Sequence, residues 1–317
     1  MRVLVTGGAG FIGSTIADAL VARGDEVVVF DNFSTGQRRF LEGLVDHPQA
    51  TIIEGDILDE QSLIEALDGC DQVIHLAANA DVRHGLERPR VDLEQNTIGT
   101  FTVLNAMRQA GVSRILFSST GSVYGEPEVF PTPEDCPFPR QTSLYGASKL
   151  AGEGLIQAFC EGYGFGGVIC RFVSILGERY THGHLFDFYR SLMLDPTTLS
   201  VLGNGKQTKS YLYVGDCIAA MLLLVDTSES GRCTTYNLGT DEVTNVEFSV
   251  DRVVNHMGID PEIIFATASR GWTGDSPLIQ LDCSRLRTHG WHPTLTIGDA
   301  IDRTLNWFDA KIGRAHV

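Results

Sequence analysis

The sequence predicts a doubly wound α/β fold, in which helices cover both faces of a parallel β-sheet and a smaller C-terminal lobe follows. Short runs rich in Val, Ile and Leu alternate with amphipathic helical patterns through the first half of the chain. The apolar runs show little alternation with polar residues, as strands buried on both faces do. This regularity ends near residue 172, where Gly, Pro, Thr and aromatic residues become more frequent.

The elements follow from these patterns in chain order. The predicted strands are Val3–Thr6, Val27–Phe30, Thr51–Glu54, Gln72–Leu76, Arg114–Ser118 and Gly167–Arg171. The helices between them are Gly13–Arg23, Glu60–Leu67, Leu93–Ala110 and Tyr145–Tyr163. Further on, we expect helices at Leu185–Leu194, Val214–Asp226, Val246–Met257 and Ile297–Asp309, and a strand at Thr235–Leu238 that returns to the sheet. We therefore predict a sheet domain at 1–172, with a returning segment near 210–240, and a lobe at 173–317.

The charge balance excludes some classes of partner. The chain has 24 Lys and Arg against 40 Asp and Glu, a net charge of −16. Because nucleic acid and anionic membranes are bound by basic surfaces, we predict neither as a partner. The longest apolar run, 217–225, is far shorter than the ~20 residues of a membrane-spanning helix. The seven scattered cysteines, without a CxxC pair, are typical of reduced thiols, so we expect a cytoplasmic protein.

A glycine-rich turn follows the first strand and opens the first helix. Gly7 permits a tight turn, Gly10 lets the backbone approach a pyrophosphate, and Gly13 lets helix and strand pack closely. The helix N-terminus at Phe11 and Ile12 offers free N–H groups and a positive dipole end to phosphates. The pattern predicts a Rossmann-type, dinucleotide-binding sheet.

The ends of later strands add to the predicted cofactor site. Asp31 lies 18 residues after Gly13, where a carboxylate accepts hydrogen bonds from the adenosine ribose and favours NAD over NADP. Asp56 fits two roles equally, a contact with the adenine amino group or an N-cap of the following helix. The other expected contacts are Asn32, Ser34, Thr35, Gly36, Ile57, Leu76, Ala77, Ala78 and Ser118.

The candidate catalytic residues are Thr120, Tyr145 and Lys149. Thr120 ends the fifth strand at the carboxyl edge, where open α/β sheets bind ligands. Tyr145 and Lys149 are four residues apart and share one face of a helix. An ammonium and an oxidised nicotinamide lower the pKa of a neighbouring phenol from ~10 towards neutral pH. The phenolate is then a general base for a hydroxyl group that Thr120 orients, while Lys149 also holds the nicotinamide ribose.

Together these motifs resemble the extended short-chain dehydrogenase/reductases of the NAD-dependent epimerase/dehydratase family. The resemblance covers almost the whole chain and is strongest with the UDP-glucose (UDP-galactose) 4-epimerases. It rests on VTGGAGFIG at 5–13, DN at 31–32, GDI at 55–57, HLAA at 75–78, SSTGSVYG at 118–125 and YGASK at 145–149. It implies an NAD-dependent isomerase that inverts C4 of UDP-glucose, UDP-galactose or their N-acetylated forms through a transient 4-keto intermediate, with NAD retained throughout.

The resemblance also separates the reactions of the family. Its dehydratases carry an Asp-Glu pair directly after the threonine, and its nucleotide-sugar decarboxylases carry a Glu just before Val-Tyr-Gly. This chain has Gly121 and Ser122 at those places. Neither side chain can transfer the protons of an elimination, whereas a 4-epimerase needs neither carboxylate.

The resemblance implies the substrate contacts as well. Lys209 and Arg270 align with cations at the diphosphate, and Asp275 aligns with an acceptor for the uridine ribose. Ser174 stands where the family has an Asn after the sixth strand. Arg83, just past the fourth strand, either faces the sugar or pairs with a neighbouring carboxylate.

Other functions share much of this pattern. A UDP-glucuronate 4-epimerase would use Arg83 to bind the uronate carboxylate. A nucleotide-sugar reductase or dehydrogenase would keep every motif but release its cofactor. A noncatalytic NAD-binding or RNA-associated relative predicts the loss of Tyr145 or Lys149, or a basic face, and the sequence shows neither.

Two predictions concern partners and metals. The helices Leu93–Ala110 and Tyr145–Tyr163 carry apolar residues on more than one face. As in relatives, we expect them to pair with their copies in a homodimeric four-helix bundle. No metal site is predicted, because His182 and His184 have no third ligand nearby in the sequence.

Overall fold

The computed structural model describes residues 1–81, 87–137, 140–272, 274–276 and 278–311. Its strands are β1 Arg2–Thr6, β2 Glu26–Asp31, β3 Ala50–Glu54, β4 Gln72–His75, β5 Arg114–Thr120, β6 Gly166–Phe172, β7 Ser174–Leu176, β8 Thr198–Val201, β9 Thr208–Lys209, β10 Tyr211–Tyr213, β11 Arg232–Leu238, β12 Thr244–Asn245, β13 Glu262–Phe265 and β14 Leu278–Ile279. Its α-helices are α1 Phe11–Arg23, α2 Glu60–Ala66, α3 Pro89–Asp92, α4 Gly99–Ala110, α5 Leu144–Tyr163, α6 His184–Leu194, α7 Val214–Leu224, α8 Val246–Met257, α9 Ser284–Arg287 and α10 Ile297–Lys311.

The largest sheet has seven strands in the order β3-β2-β1-β4-β5-β6-β11. The strands β1 to β6 pair in parallel with their neighbours in this order. The chain starts in the middle, moves outward through β2 and β3, and then returns to the other side of β1 with β4. This reversal is the topological switch point of a Rossmann-type sheet, at which ligands bind beyond the carboxyl ends of the strands. The predicted fold class is confirmed.

The burial of the central strands explains why they lack polar alternation. Val3, Leu4 and Val5 in β1 are fully buried, and the four apolar residues 27–30 of β2 are at most 1% exposed. Parallel strands covered by helices on both faces need apolar side chains at every position. The same property made the first six strands predictable to within two residues at each end.

The chain divides into two compact units. The first contains Met1–Val123, Ser143–Phe172 and Ile218–Asn237, and it holds nearly all of the seven-stranded sheet. The second contains Tyr124–Thr142, Val173–Cys217 and the chain from Leu238 onward. A role of the second unit in substrate binding stays a prediction.

The second unit is built from short strands and three longer helices. In it β7 pairs with β10, β8 pairs with β13, and β9 lies between β12 and β14. The helices α6, α8 and α10 pack against one another, and the buried Phe308 ring of α10 lies 5.1 Å from the Tyr189 ring of α6. The helices are predictable from the sequence but these strands are not, because two to four residues are too few to show a period of two.

The predicted helix Leu93–Ala110 differs from the structure in one detail. Its first part, Leu93–Ile98, is a widened π-helical segment, and α4 begins at Gly99. The Asn96 side chain accepts a hydrogen bond from the Asn79 backbone N–H at 2.8 Å. A π-bulge of this kind often accompanies a functional position.

None of the helices among the described residues is both long enough and apolar enough to cross a membrane.

Candidate active site

The glycine turn between β1 and α1 has the close packing that its sequence predicts. Gly7 has a φ of +67°, and a Cβ atom there would lie 2.7 Å from the Ala77 backbone nitrogen. A Cβ atom on Gly13 would lie 2.1 Å from the Gly7 carbonyl oxygen. Any side chain at either position would displace backbone, so the turn requires glycine at both.

The N-terminus of α1 fits a dinucleotide pyrophosphate. Its N-cap is Gly10, no side chain caps the first turn, and that turn contains no acidic residue. The first N–H groups of a helix lack partners within the helix, and the helix dipole adds positive charge at this end. The residues present therefore form an anion site made of backbone, as NAD requires.

Asp31 at the end of β2 organises the same turn. One of its carboxylate oxygens accepts a hydrogen bond from the Ala9 backbone N–H at 2.9 Å, and the other accepts from the Phe33 N–H at 2.8 Å. Burial raises the pKa of this carboxyl group. Each oxygen keeps a further lone pair, so the carboxylate can also accept from a ribose hydroxyl. Its structural role in holding the turn is not evident from the sequence.

Asp56 does not cap the following helix. The N-cap of α2 is Asp59, whose side chain accepts from the Gln61 and Ser62 backbone N–H groups. Asp56 instead accepts from the Leu58 N–H at 2.9 Å and from the Asn32 amide at 3.0 Å. The alternative of an N-cap is therefore wrong, and the contact with adenine stays a prediction.

The remaining predicted cofactor residues occupy varied surroundings, and their contacts with NAD stay predictions. Ile57 is buried in the core of the sheet unit, so only its backbone is available to a ligand. The Ser118 hydroxyl donates to the His75 carbonyl oxygen at 3.2 Å. The others lie at least partly exposed in the loops after β2 and β4: Ser34, Thr35, Gly36, Leu76, Ala77 and Ala78.

His75 helps to hold the loop after β4 in place, a role that the sequence does not indicate. It is fully buried, its Nδ1 atom lies 2.7 Å from the Thr6 hydroxyl, and its Nε2 atom lies 3.1 Å from the Thr100 hydroxyl. Burial lowers its pKa to about 3, so the imidazole is neutral. The Thr6 hydroxyl also accepts from the Ala77 N–H at 3.3 Å, which ties the imidazole to the loop after β4.

Two of the three candidate catalytic residues meet directly. The Thr120 hydroxyl lies beside the phenol of Tyr145 and acts on its ionisation. Burial raises the pKa of Tyr145 to about 12; donation from the Thr120 hydroxyl opposes this shift, and the negative charge of Asp92 adds to it. The Ser122 backbone N–H donates to the Thr120 hydroxyl at 3.1 Å and orients it. The groups of the chain by themselves thus leave the phenol protonated at neutral pH.

Lys149 lies one helical turn further along α5 and is buried. Its Nζ atom lies 4.3 Å from the centre of the Phe117 ring. Burial lowers its pKa to about 7, and the negative charge of Glu153 opposes this shift. The helix is positioned by Ser143, whose side chain caps it by accepting from the Gly146 N–H. At neutral pH the amine is therefore near its titration midpoint.

Three of the predicted substrate residues cluster in the second unit. The Lys209 Nζ atom lies 2.5 Å from a carboxylate oxygen of the buried Asp275, and it also lies 4.8 Å from the centre of the Trp272 ring. The other Asp275 oxygen accepts from the Gly271 N–H at 3.0 Å.

Arg270 donates to the Asp275 backbone carbonyl at 3.3 Å. The guanidinium of Arg270 makes a second contact, an ion pair with Glu126. Both cations of this cluster thus already contact Asp275.

The other predicted substrate residues lie apart from this cluster or outside the described residues. Ser174 is exposed at the start of β7, in register with Tyr211 of β10. Arg83 lies outside the described residues.

Comparisons with known proteins agree with this geometry. Residues 3–239 match the model of the NAD dependent epimerase/dehydratase family. A UDP-glucose 4-epimerase of Streptomyces lividans is 33% identical, over 92% of this chain and 97% of that protein.

Solved structures show the same similarity. The Thermus thermophilus UDP-glucose 4-epimerase in complex with NAD is 34% identical in sequence and superposes with a TM-score of 0.86. The match covers 98% of this chain and 100% of the Thermus chain. A dTDP-glucose 4,6-dehydratase from Streptomyces venezuelae with NAD bound is 27% identical, covers 99% of this chain with 98% of its own, and has a TM-score of 0.90. The predicted family resemblance, the NAD cofactor and the assignment as an NAD-dependent enzyme are confirmed.

Proposed function

Because the chain belongs to the NAD dependent epimerase/dehydratase family, we propose that it is a nucleotide-sugar 4-epimerase that interconverts UDP-glucose and UDP-galactose, or their N-acetylated forms. The observation that carries the proposal is that Thr120 and Tyr145 lie side by side, one helical turn from the buried Lys149. Gly121 and Ser122 follow Thr120 and supply no carboxylate, so this strand end favours epimerisation over elimination.

Tyr145 is the proposed base and acid. Its phenolate oxygen would take the proton of the sugar C4 hydroxyl, and the phenol so formed would return a proton to the C4 oxygen after the hexose has turned over. Thr120 would hydrogen-bond the same oxygen and keep it in line with the phenol. A positioned acid–base group typically contributes about 100- to 10,000-fold to a rate.

Lys149 is proposed to favour the ionised form of Tyr145. A buried ammonium interacts with a neighbouring phenolate more strongly than an exposed one, because water screens it less. Burial brings the pKa of Lys149 down to about 7, so both of its charge states are accessible near neutral pH.

NAD would be held by the glycine turn at Gly7–Gly13, by Asp31 and by Lys149. When bound, it supplies a hydride acceptor that can return the hydride, and a positive charge that favours the phenolate. The glycine cradle and the uncapped N-terminus of α1 support this assignment.

Lys209 and Arg270 are proposed to anchor the diphosphate, and Asp275 the uridine ribose. Binding energy placed on the nucleotide positions the sugar while the hexose itself stays loosely held and can turn over. A diphosphate would have to compete with Asp275 for Lys209, because the two side chains are already paired. We expect the Lys209–Asp275 pair to rearrange on binding.

The proposal is tested by incubating the purified protein with a panel of nucleotide sugars without added NAD. The panel contains UDP-linked glucose, galactose, their N-acetylated forms and glucuronate, together with dTDP-glucose and CDP-glucose. Proton NMR follows inversion at C4, and heat-denatured protein is the control. Inversion of a UDP-hexose is the expected result, and no inversion of any UDP-hexose would overturn the proposal.

The same panel separates the alternatives. Inversion of UDP-glucuronate alone would favour a glucuronate 4-epimerase, the reaction for which Arg83 was considered. A reductase or dehydrogenase would instead consume added nicotinamide cofactor in proportion to product, which is read from the absorbance of the reduced form. Activity without added cofactor opposes that alternative.

We also propose a homodimer joined through a four-helix bundle. Exposed apolar side chains support it along the predicted contact helices, namely Leu93, Ile98, Phe101, Leu144 and Tyr163. Sedimentation should give twice the mass of one chain. Phe101→Asp should yield monomers, whereas Val45→Asp, at an exposed valine outside these helices, should not. A monomeric wild-type protein would contradict the proposal.

A further inference from the structure

A buried ion pair lies beyond Lys149 on the same face of α5. Glu153 follows Lys149 by one helical turn and is 1% exposed. Its two carboxylate oxygens accept hydrogen bonds from the Arg171 guanidinium, at 2.9 Å from Nε and 2.7 Å from Nη2. The Ser119 hydroxyl donates to the same carboxylate. No function considered so far uses any of these three residues.

Three elements, β5, β6 and α5, bring these side chains together. Ser119 of β5 and Arg171 of β6 are partners in the register of the parallel sheet, so both can reach one carboxylate above them. Glu153 is brought to that place by α5, on which Tyr145, Lys149 and Glu153 follow at intervals of four residues. A bidentate arginine contact with a third donor holds the carboxylate in one orientation.

The burial of this pair is not explained by stability. Charges removed from water lose much of what their attraction returns, and replacement of buried pairs by apolar side chains is often neutral or stabilising. Arg171 has a side chain only 11% exposed, and Glu153 only 2%. The burial of this pair therefore indicates a role beyond packing, and Lys149 is the neighbouring group through which the pair can act on the proposed chemistry.

We propose that Glu153 and Arg171 are positioning residues that set the charge of Lys149 by acting on it in opposite directions. The carboxylate of Glu153 stabilises the Lys149 ammonium, and the guanidinium of Arg171 limits that effect by neutralising the carboxylate. The inference rests on the proposed function only for the role of Lys149 in turnover. The charge relation itself can be measured without substrate.

Asp92 of α3 places a further negative charge near Tyr145 at the other end of this row, whereas the groups other than Glu153 that face Lys149 are uncharged at neutral pH. Lys149 is faced by Tyr145 on its own helix, by the neutral His75 of β4, and by the uncharged Phe117 ring of β5. Burial lowers the pKa of Lys149 and the charge of Glu153 raises it.

On its other side, the carboxylate of Glu153 is near two thiols. The thiols of Cys160 in α5 and Cys233 in β11 interact, and this interaction lowers the pKa of Cys160 and is the largest cause that raises the pKa of Cys233. Burial and the charge of Glu153 also raise the pKa of Cys233, and Arg171 opposes them. Of the two thiols, Cys233 is therefore the one that stays protonated near neutral pH.

Lysine NMR measures the proposed effect directly. The chain has only four lysines, at 149, 206, 209 and 311, so protein labelled with ¹³C at the lysine ε-carbon gives a small set of signals. Lys149→Met identifies the Lys149 signal. Glu153→Gln should move its titration midpoint down by about one pH unit or more, because the guanidinium is left uncompensated. Arg171→Met should move it up by a similar amount, and the double variant should return close to the wild-type midpoint.

Matched variants separate charge from structure. Glu161→Gln removes the same charge from an exposed position on the same helix and should leave the midpoint unchanged. Ser119→Ala removes a hydrogen bond without changing charge, and it should shift the midpoint by less than either single charge variant. Glu153→Asp keeps the charge and should restore most of the wild-type value. Urea unfolding and the amount of co-purified NAD are measured for each variant.

Opposite signs for the two single variants are the expected result. Shifts of the same sign, or no shift in folded protein, would overturn the inference. If a single variant does not fold, the double variant and Glu153→Asp test the inference instead. A Lys149 titration midpoint more than about one pH unit from that of the wild type in either variant would contradict charge compensation. The pH profile of kcat should move in the same direction as the NMR midpoint.

This experiment fails independently of the proposed function. Opposite midpoint shifts together with no sugar inversion would remove the 4-epimerase and keep the charge relation. Inversion of a UDP-hexose together with shifts of the same sign would keep the enzyme and remove the roles of Glu153 and Arg171.

Discussion

In the first unit, Tyr145 and Lys149 lie one turn apart on a single helix, whereas in the second unit Lys209 and Asp275 are separated by 66 residues and come from a two-residue strand and a loop. Lys149 is buried beside an aromatic ring, and its pKa falls to about 7. Lys209 is paired with a carboxylate of the chain itself. The first cation is tuned by burial, and the second is neutralised by a partner.

The difference suits two tasks. A group that assists proton transfer needs a pKa near the working pH, and burial lowers the pKa of Lys149 towards it against the opposing charge of Glu153. A group that anchors a diphosphate needs a permanent charge, and an acidic partner keeps that charge stable until the ligand replaces it. Variants at the catalytic residues of the first unit should then change kcat, and variants at the cations of the second unit should change KM.

Tyr145→Phe should have the largest effect. Removal of the hydroxyl takes away the proposed base, so we expect kcat to fall about 1,000-fold while NAD remains bound. NMR of C4 inversion and the NAD content of the purified protein check this. Tyr163→Phe, at a tyrosine 59% exposed on the same helix, is the control. Full activity of Tyr145→Phe would remove this residue from the chemistry.

Gly7→Ala should weaken NAD binding on the order of 100-fold, because strain in the turn must be relieved before the cofactor is cradled. The matched control is Gly24→Ala. Gly24 also has a positive φ, of +94°, but no atom lies within 4 Å of its Cβ position. Equilibrium dialysis with NAD measures both variants. Equal losses in the two would show that backbone conformation matters and the contact with Ala77 does not.

Acid should destabilise both units through one histidine in each, the buried His75 and the half-buried His184. Burial lowers the pKa of His75 and of His184, each from 6.5 to about 3. The unfolded chain therefore binds more protons than the folded chain between these values, so stability is lost as pH falls through that window. Each histidine should contribute about 2 kcal/mol to the loss between pH 7 and pH 5.

Urea unfolding at the two pH values measures this loss for the wild type, His75→Gln and His184→Gln. Each variant should lose about 2 kcal/mol less than the wild type over this interval. His289→Gln, at an exposed histidine, should behave as the wild type. An unchanged pH dependence in His75→Gln would mean that its imidazole is not held neutral.

Lys209→Gln should have the smallest effect. We expect KM for the nucleotide sugar to rise about tenfold with kcat nearly unchanged, because a binding contact is lost equally in the ground and transition states. Lys206→Gln, at an exposed lysine three residues away, is the control. A fall in kcat without a change in KM would contradict the division of tasks between the two clusters.

Much of the first unit could be predicted from the sequence because its rules are local. The glycine turn, the carboxylate that ends β2 and the spacing of Tyr145 and Lys149 each depend on residues a few positions apart or on the end of one strand. Because these strands are buried on both faces, they could be recognised in the sequence as apolar runs. In the second unit, by contrast, the helices were predictable and the short strands were not.

The sequence by itself determined the fold class and the cofactor, and it predicted the residues of the candidate site. Only the tertiary structure decided how polar side chains in and beside that site are paired: Glu153 with Arg171 and Ser119, Lys209 with Asp275, and His75 with Thr6 and Thr100. Helical spacing and strand ends repeat along the chain and can be read from it. The partner of a buried charge depends on which strands become neighbours and in what register, and that is settled only when the whole sheet has formed.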